Sequence, residues 1–172
     1  MSAFLDQLAG GDRRSIGNAG TVAQHVLADP SKLVEVIAGL SNADPLVRMR
    51  CADVAEKVSA LHPEWLKPHK KVLIKLAARA TEKELRWHLA QMLPRLTLGA
   101  VEHRVAVRVM FDYLNDPSKI VKTFAMQALA DFAQNDRVLR RQLPRILADI
   151  LQSGSPAMQA RARKLLAGLD GS

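Results

Sequence analysis

The sequence predicts an all-α fold made of repeated helical hairpins, and three observations support this. Aromatic residues make up only 4% of the 172-residue chain, and no segment alternates apolar and polar residues as a half-buried strand would. Apolar columns with helical spacing recur along the chain with a period of about 37 residues. Glycine and proline fall mostly between these columns, where helices are expected to begin and end.

One set of columns marks the first helix of each hairpin. Its members share the i, i+4, i+7, i+8 spacing of one helix face. They are Val47, Cys51, Val54 and Ala55; Leu85, Leu89, Met92 and Leu93; Val121, Ala125, Ala128 and Leu129; and Met158, Ala162, Leu165 and Leu166.

A second set, in which only Lys70 is not apolar, marks the second helix of each hairpin. It comprises Leu33, Val36, Ile37 and Leu40; Lys70, Leu73, Ile74 and Ala77; Val107, Met110, Phe111 and Leu114; and Leu143, Ile146, Leu147 and Ile150. A single hairpin cannot bury such a face alone, so two sets that share one period predict hairpins stacked on one another.

The expected helix starts fit this period. Asp-Pro at 44–45 and 116–117 and Ser-Pro at 155–156 each place a capping side chain before a proline in the first turn. Thr81 and Glu84 have the spacing of a capping box. We therefore expect a single domain over 1–172, with a leading helix at 2–9, hairpins at about 12–41, 44–79, 81–114 and 116–152, and a capping helix at 155–168.

Two of these segments, DPLVRMRCADVAEKV (44–58) and DPSKIVKTFAMQALADFA (116–133), resemble HEAT repeats. Arg48, Arg86 and Lys122 occupy the basic position of that pattern, and Gln159 departs from it. The resemblance, which extends to small bacterial HEAT-like proteins, implies a right-handed α-α superhelix, or solenoid, of about four helical hairpins plus terminal capping helices. It also implies that second helices line the concave side. Members of this family mostly act as binding scaffolds and seldom as enzymes, so the resemblance implies a scaffold here.

Basic residues are concentrated in the later part of the chain. The formal net charge is +8, yet residues 1–60 hold six basic and seven acidic side chains, whereas residues 61–172 hold nineteen and ten. Seven bases flank the apolar columns of the second helices: Lys67, Lys71, Lys75, Arg104, Arg108, Arg141 and Arg145. If these helices line the concave surface, the bases form a stripe that binds an acidic partner; the alternative is a solvated face that aids solubility.

A non-catalytic scaffold that binds an acidic protein surface is the expected function. The alternative is binding to the phosphate backbone of nucleic acid, with Trp65 and Trp87 as stacking groups, and it includes a remote relative of the HEAT-like DNA-repair glycosylases. No nucleophile motif, paired carboxylates or phosphate loop is present, so we expect no enzyme, no catalytic residues and no cofactor.

Composition gives few further sites. Cys51 is the only cysteine and lies in an apolar column, so it should be buried and inert. The five histidines have no metal-ligand spacing, and no metal is expected. No apolar run is long enough to cross a membrane and no secretory signal is present, which favours a cytoplasmic protein.

Two short stretches invite a functional interpretation. In GGDRRSIGNAG (10–20), Arg13 and Arg14 beside glycines form a candidate anion site, unless the glycines simply end the leading helix. In LRWHLAQMLPRL (85–96), Trp87 and His88 lie off the core columns, so packing between neighbouring repeats or on the outer ridge is expected rather than chemistry, and Pro94 should bend the helix.

Overall fold

The computed structural model describes residues 3–12 and 15–170, and every regular element in them is helical. The helices are α1 Ala3–Asp6, α2 Ala19–Ala28, α3 Leu33–Gly39, α4 Pro45–Leu61, α5 Lys70–Arg79, α6 Lys83–Met92, α7 Ala100–Tyr113, α8 Lys119–Ala133, α9 Arg137–Ser153 and α10 Pro156–Asp170. Short 3-10 turns occupy Pro30–Lys32, Pro63–His69 and Leu93–Arg95. The predicted all-α class is confirmed.

The chain divides into two compact units, one up to Thr97 and one from Leu98 onwards. In the first unit, α4 packs against α2, α3 and α6. In the second unit, α8 packs against α7, α9 and α10, and α9 also packs against α10. Each unit therefore has one first-type helix at its centre, α4 or α8, with the helices before and after it packed around it.

The first-helix columns form the core. All of their members in α4, α6 and α8 are buried, and in α10 Met158 and Ala162 are buried whereas Leu165 and Leu166 are half-buried. Full burial of one such side chain contributes about 1.5–3 kcal/mol relative to exposure. The prediction of these columns from spacing is confirmed for α4, α6 and α8, and half confirmed for α10.

The predicted face of α7 is one residue out of phase. Ala106, Val109 and Tyr113 are buried beside Met110, while the expected Val107, Phe111 and Leu114 are only half-buried. Residues 105–111 read VAVRVMF, so apolar side chains occur all around this part of the helix. Spacing alone therefore does not fix which side faces the core.

The helix starts show where capping chemistry was predicted correctly and where it was not. Asp44 caps α4 as expected, since its Oδ1 accepts a hydrogen bond from the Leu46 amide at 2.8 Å. Asp116 instead accepts from the Ser118 amide at 2.7 Å, and α8 begins only at Lys119. The Asp-Pro pair therefore closes a turn before that helix.

Three further expectations were wrong in detail. The capping box at Thr81 does not form, because Glu82 is the N-cap residue of α6 and its carboxylate pairs with Arg48. Pro94 does not bend α6, because the α-helix ends at Met92 and Pro94 lies in the 3-10 turn that follows it. The leading helix is a single turn, α1, rather than a helix over 2–9.

Candidate binding surface

The seven bases predicted to form a stripe are all exposed. Lys67 lies in the 3-10 turn before α5, Lys71 and Lys75 lie on α5, Arg104 and Arg108 on α7, and Arg141 and Arg145 on α9. The pairs on α5, α7 and α9 are each separated by four residues, which places both members on the same side of the helix. The bases of α5 belong to the first unit and those of α7 and α9 to the second.

These seven side chains form no hydrogen bond or ion pair with any residue that the structure describes. Exposed valines lie among them on the same helices. Val72 adjoins Lys71 and is 51% exposed, while Val101, three residues before Arg104, is 65% exposed. On α9, Val138 precedes Arg141 by one turn and is also 65% exposed. The basic faces are therefore mixed surfaces of cations and aliphatic groups.

Other arginines have structural roles, and their contacts distinguish them from these seven. Arg48 pairs with Glu82 and also donates to the carbonyls of Asn42 and Ala43, in the turn before α4. Arg86 donates through Nε to the Ala80 carbonyl at 2.7 Å, in the turn before α6. The basic position of the HEAT-like pattern is thus used, at both sites, to fasten the turn that precedes its own helix.

Arg50 was not predicted to be important, yet it is the most enclosed charged residue among those described in the first unit. It is 3% exposed, and its guanidinium donates to the carbonyls of Leu8 at 2.8 Å and Gly10 at 2.6 Å. It also donates to the carbonyls of Asp12 and Ser15, at 3.2–3.3 Å. Arg50 of α4 therefore anchors the segment that precedes α2.

This arrangement explains the glycines of that segment. Gly10, Gly11 and Gly17 have positive φ angles of 72°, 82° and 51°, which favour glycine. A Cβ atom at Gly17 would lie 2.8 Å from Cζ of Arg50. The glycines let the chain wrap closely around a cation with its carbonyls pointing inwards. Arg13 and Arg14, the candidate anion site, lie outside the described residues.

His88 of α6 is buried and faces α4, so of its two expected placements it takes the inward one and not the outer ridge. Its Nδ1 donates to the Glu84 carbonyl at 2.7 Å, and its Nε2 accepts from the Trp87 indole at 3.2 Å. Asp53 of α4 faces the same ring, with Oδ1 3.7 Å from Nε2, and it also binds Lys57. Burial raises the pKa of Asp53, but its interactions with His88 and with the Lys57 ammonium lower that pKa by more, to below its ordinary value.

Arg95 closes the same junction at its far end. Nη1 donates to the Glu56 carbonyl at 3.0 Å and to Ser59 Oγ at 2.7 Å, and Nη2 binds the Glu56 carboxylate at 2.7 Å. Ser59 is fully buried. The two arginines of LRWHLAQMLPRL therefore bind the turn before α6 and the neighbouring helix α4.

The remaining candidate side chains are wholly or partly covered by neighbouring residues. The Trp65 ring is stacked on His62 at a centroid distance of 4.1 Å, so one of its faces is covered, and Trp87 is half-buried. Cys51 is buried, as predicted, and burial raises the pKa of its thiol to about 12. Over residues 3–12 and 15–170, no group of His, Cys, Asp and Glu side chains is suited to hold a metal ion.

Comparisons with known proteins assign no family to this chain. No protein-family model, curated protein or solved structure matches the chain. Among the helices of the described residues, none has the length and apolar character required to span a bilayer. The contacts of the chain itself are therefore the basis for assigning a function.

Proposed function

We propose that this chain is a non-catalytic binding protein of the HEAT-like solenoid type, whose basic helix faces bind an acidic surface of a partner protein. One observation carries the proposal: the seven exposed bases are not used by the fold, whereas Arg48, Arg50, Arg86 and Arg95 are. Cations that stabilise nothing within the described chain remain available to an anionic partner.

The exposed valines favour a protein over a nucleic acid. An aliphatic side chain gains free energy when it is buried against apolar groups of a partner, and a phosphate backbone offers none. Nucleic-acid readers that bind single strands use exposed aromatic platforms, and here one face of Trp65 is covered. Mixed basic and aliphatic faces match an acidic protein surface that also presents apolar side chains.

A charge-reversal variant tests the proposal. We expect the fourfold change Lys71→Glu, Lys75→Glu, Arg104→Glu and Arg108→Glu to abolish binding of an acidic partner captured by the wild-type protein, while the helical circular dichroism is retained. The matched control carries the same charge change at bases elsewhere in both units, one half-buried (Lys32→Glu) and three exposed (Lys83→Glu, Lys119→Glu and Arg163→Glu). If the partner binds the first variant as tightly as it binds the control, the basic faces are not the binding surface.

Nucleic-acid binding is the second candidate, because free cations attract any polyanion. Labelled DNA and RNA should be titrated at about 50 and 200 mM salt, since binding through several phosphates weakens by orders of magnitude over this range. The triple change Val72→Ser, Val101→Ser and Val138→Ser separates the two candidates. It should weaken binding of a protein partner and leave phosphate-backbone binding unchanged. No binding of nucleic acid at the lower salt concentration excludes the second candidate.

A further inference from the structure

A groove of about 570 Å³ lies in the second unit, between the C-terminal halves of α8 and α10. Ala130 and Ala133 of α8 and Leu165 and Leu169 of α10 form its apolar lining. Both leucines are half-buried. The volume is within the range of about 300–1,000 Å³ that is typical of ligand pockets.

Three basic side chains border this groove: Arg140 of α9 and Arg161 and Lys164 of α10. Arg161 is oriented by a neutral amide, since its Nη1 donates to Gln127 Oε1 at 2.8 Å. The amide nitrogen of Gln127 in turn donates to Asp131 Oδ1 at 2.8 Å. Asp131 is the single acidic residue among the described lining residues, so the groove is positively charged overall.

The repeat explains why this groove is open. Arg161 and Gln127 stand at the repeat positions of His88 and Asp53, which meet in the junction of α6 with α4. In that junction Arg95 fills the far end by binding Glu56 and Ser59. Gly168, Ala130 and Ala133 occupy the positions of Arg95, Glu56 and Ser59 in the second unit, so these positions carry no side chains that could make the contacts of Arg95. A Cβ atom added at Gly168 would meet nothing within 4 Å.

The dimensions select the kind of occupant. The α8 wall runs from Gln127 to Gln134, which is about 10 Å of helix at 1.5 Å per residue. This length accommodates about three residues of extended chain. A whole helix would not fit, whereas a short segment with one carboxylate and one apolar side chain would match both the charged margin and the leucines. Arginine forks bind carboxylates with two parallel hydrogen bonds.

We propose that this groove binds a short acidic and apolar segment of the partner protein, with a carboxylate held among Arg140, Arg161 and Lys164 and an apolar side chain on Leu165 and Leu169. The proposal rests on the proposed function and names a second, more specific contact of the same partner. It requires that filling the groove, without any change of charge, prevents binding of the segment.

The test uses fluorescence anisotropy of a labelled octapeptide in which Glu and Leu alternate, at about 150 mM salt so that distant charges are screened. The full chain should bind this peptide more tightly than an octapeptide in which Glu and Ser alternate. Gly168→Leu fills the groove at an exposed helical position and should weaken binding at least tenfold, which corresponds to about 1.4 kcal/mol. Gly168→Ala, which leaves most of the groove open, is the size control.

A second pair of variants tests the charges. Arg140→Gln with Lys164→Gln should weaken binding by tenfold or more, whereas Lys71→Gln with Lys75→Gln, the same charge loss in the first unit, should change it less than about twofold. Thermal unfolding by circular dichroism confirms that each variant is folded. These variants leave the Arg161 contact with Gln127 intact.

Each alternative outcome overturns the proposal in a different way. If Gly168→Leu binds as the wild type does, the groove is not the site. If only the Lys71 and Lys75 pair weakens binding, the basic helix faces hold the acidic segment, and the proposed function stands without the groove. If neither octapeptide binds up to millimolar concentration but a labelled oligonucleotide does, both proposals fail.

Discussion

The junction of α4 with α6 and the junction of α8 with α10 use the same repeat positions and differ in what fills them. In the first, Asp53 meets His88, and Arg95 spans to Glu56 and Ser59. In the second, Gln127 meets Arg161, and Gly168 stands where Arg95 would be. One junction is closed by its own side chains, and the other leaves a charged groove.

Proline contributes to this difference. Pro94 lies just after the end of α6, in the turn that carries Arg95. At the corresponding position α10 has Ala167 and continues as a helix to Asp170. A proline removes a backbone donor and clashes with the preceding turn, so it disfavours continuation of the helix, and α6 ends two residues before Pro94. The same repeat can therefore close a junction or leave it open, according to two residues near its end.

The largest effect is expected at Arg50, the most enclosed charged residue among those described in the first unit. Arg50→Met removes every donor that holds the carbonyls of Leu8, Gly10, Asp12 and Ser15. We expect the free energy of unfolding to fall by about 3 kcal/mol, because hydrogen bonds to a charged group contribute about 1.5–3 kcal/mol each and water replaces part of them. Urea denaturation measures this change.

Two controls accompany the Arg50 prediction. Arg163→Met, at an exposed arginine of α10, should change stability by less than about 0.5 kcal/mol. Arg50→Lys keeps the charge and loses the guanidinium fork, so it should fall between the two. Amide hydrogen exchange of the described residues 8–12 and 15–17 should accelerate in Arg50→Met. Unchanged exchange there would contradict the role of Arg50 as the anchor of this segment.

Arg95→Met is expected to have the next largest effect. It leaves the buried Ser59 hydroxyl and the Glu56 carboxylate without their partner across the junction. A loss of about 2 kcal/mol in urea denaturation is expected, since these are charge-assisted contacts and partly buried. Arg161→Met, the substitution in the open junction, should cost less than half as much, because the partner of Arg161 among the described residues is a neutral, half-buried amide. Equal losses would remove the contrast between the two junctions.

These contacts mark the limit of what the sequence could predict. The columns of α4, α6 and α8 were predicted from spacing, because burial of one face imposes a strict period on a helix. The partners of Arg50, Arg95 and Arg161 were not predicted. These hydrogen bonds join residues far apart in the sequence and depend on the exact path of the backbone in each turn. The phase of α7 was also missed, since apolar residues surround that helix.

The candidate site was predicted in part for the same reason. Exposure of the seven bases follows from their position beside an apolar column, and it could be anticipated. The charged groove could not be seen as a run of like charge, since Arg140, Arg161 and Lys164 come from two helices. Its available signal in the sequence was the exchange of Arg95 for Gly168 and of Glu56 for Ala130 at equivalent repeat positions.

The closed junction should also give unfolding a pH dependence. The pKa of Asp53 is lowered in the folded chain, since its interactions with His88 and with the Lys57 ammonium outweigh the effect of burial. A lowered carboxyl pKa stabilises the fold above the unfolded pKa, about 4, and this contribution is lost as pH falls through the folded value. Asp53→Asn should therefore cost about 1–2 kcal/mol at pH 7 and progressively less towards pH 3.

Urea denaturation across this pH range checks the sign. Gln127→Ala in the open junction removes a neutral amide, so its cost should be nearly independent of pH. If Asp53→Asn costs the same at pH 3 as at pH 7, the carboxylate is not the group that stabilises the junction of α4 with α6.

The smallest effects are expected for glycine-to-alanine substitutions at one packed position and at one open position. At Gly39 of α3, an added Cβ would overlap Sγ of Cys51 and lie 3.3 Å from a methyl group of Leu5. Gly39→Ala should therefore destabilise the first unit by about 1–2 kcal/mol, as overpacking of a core does.

At Gly168 the same Cβ meets nothing within 4 Å, and the residue is helical and exposed. Gly168→Ala should stabilise the chain by about 0.5–1 kcal/mol, because alanine loses less backbone entropy than glycine in a helix. Thermal unfolding of the two variants should thus shift in opposite directions, and a loss of stability in Gly168→Ala would show that the space beside Gly168 is already filled.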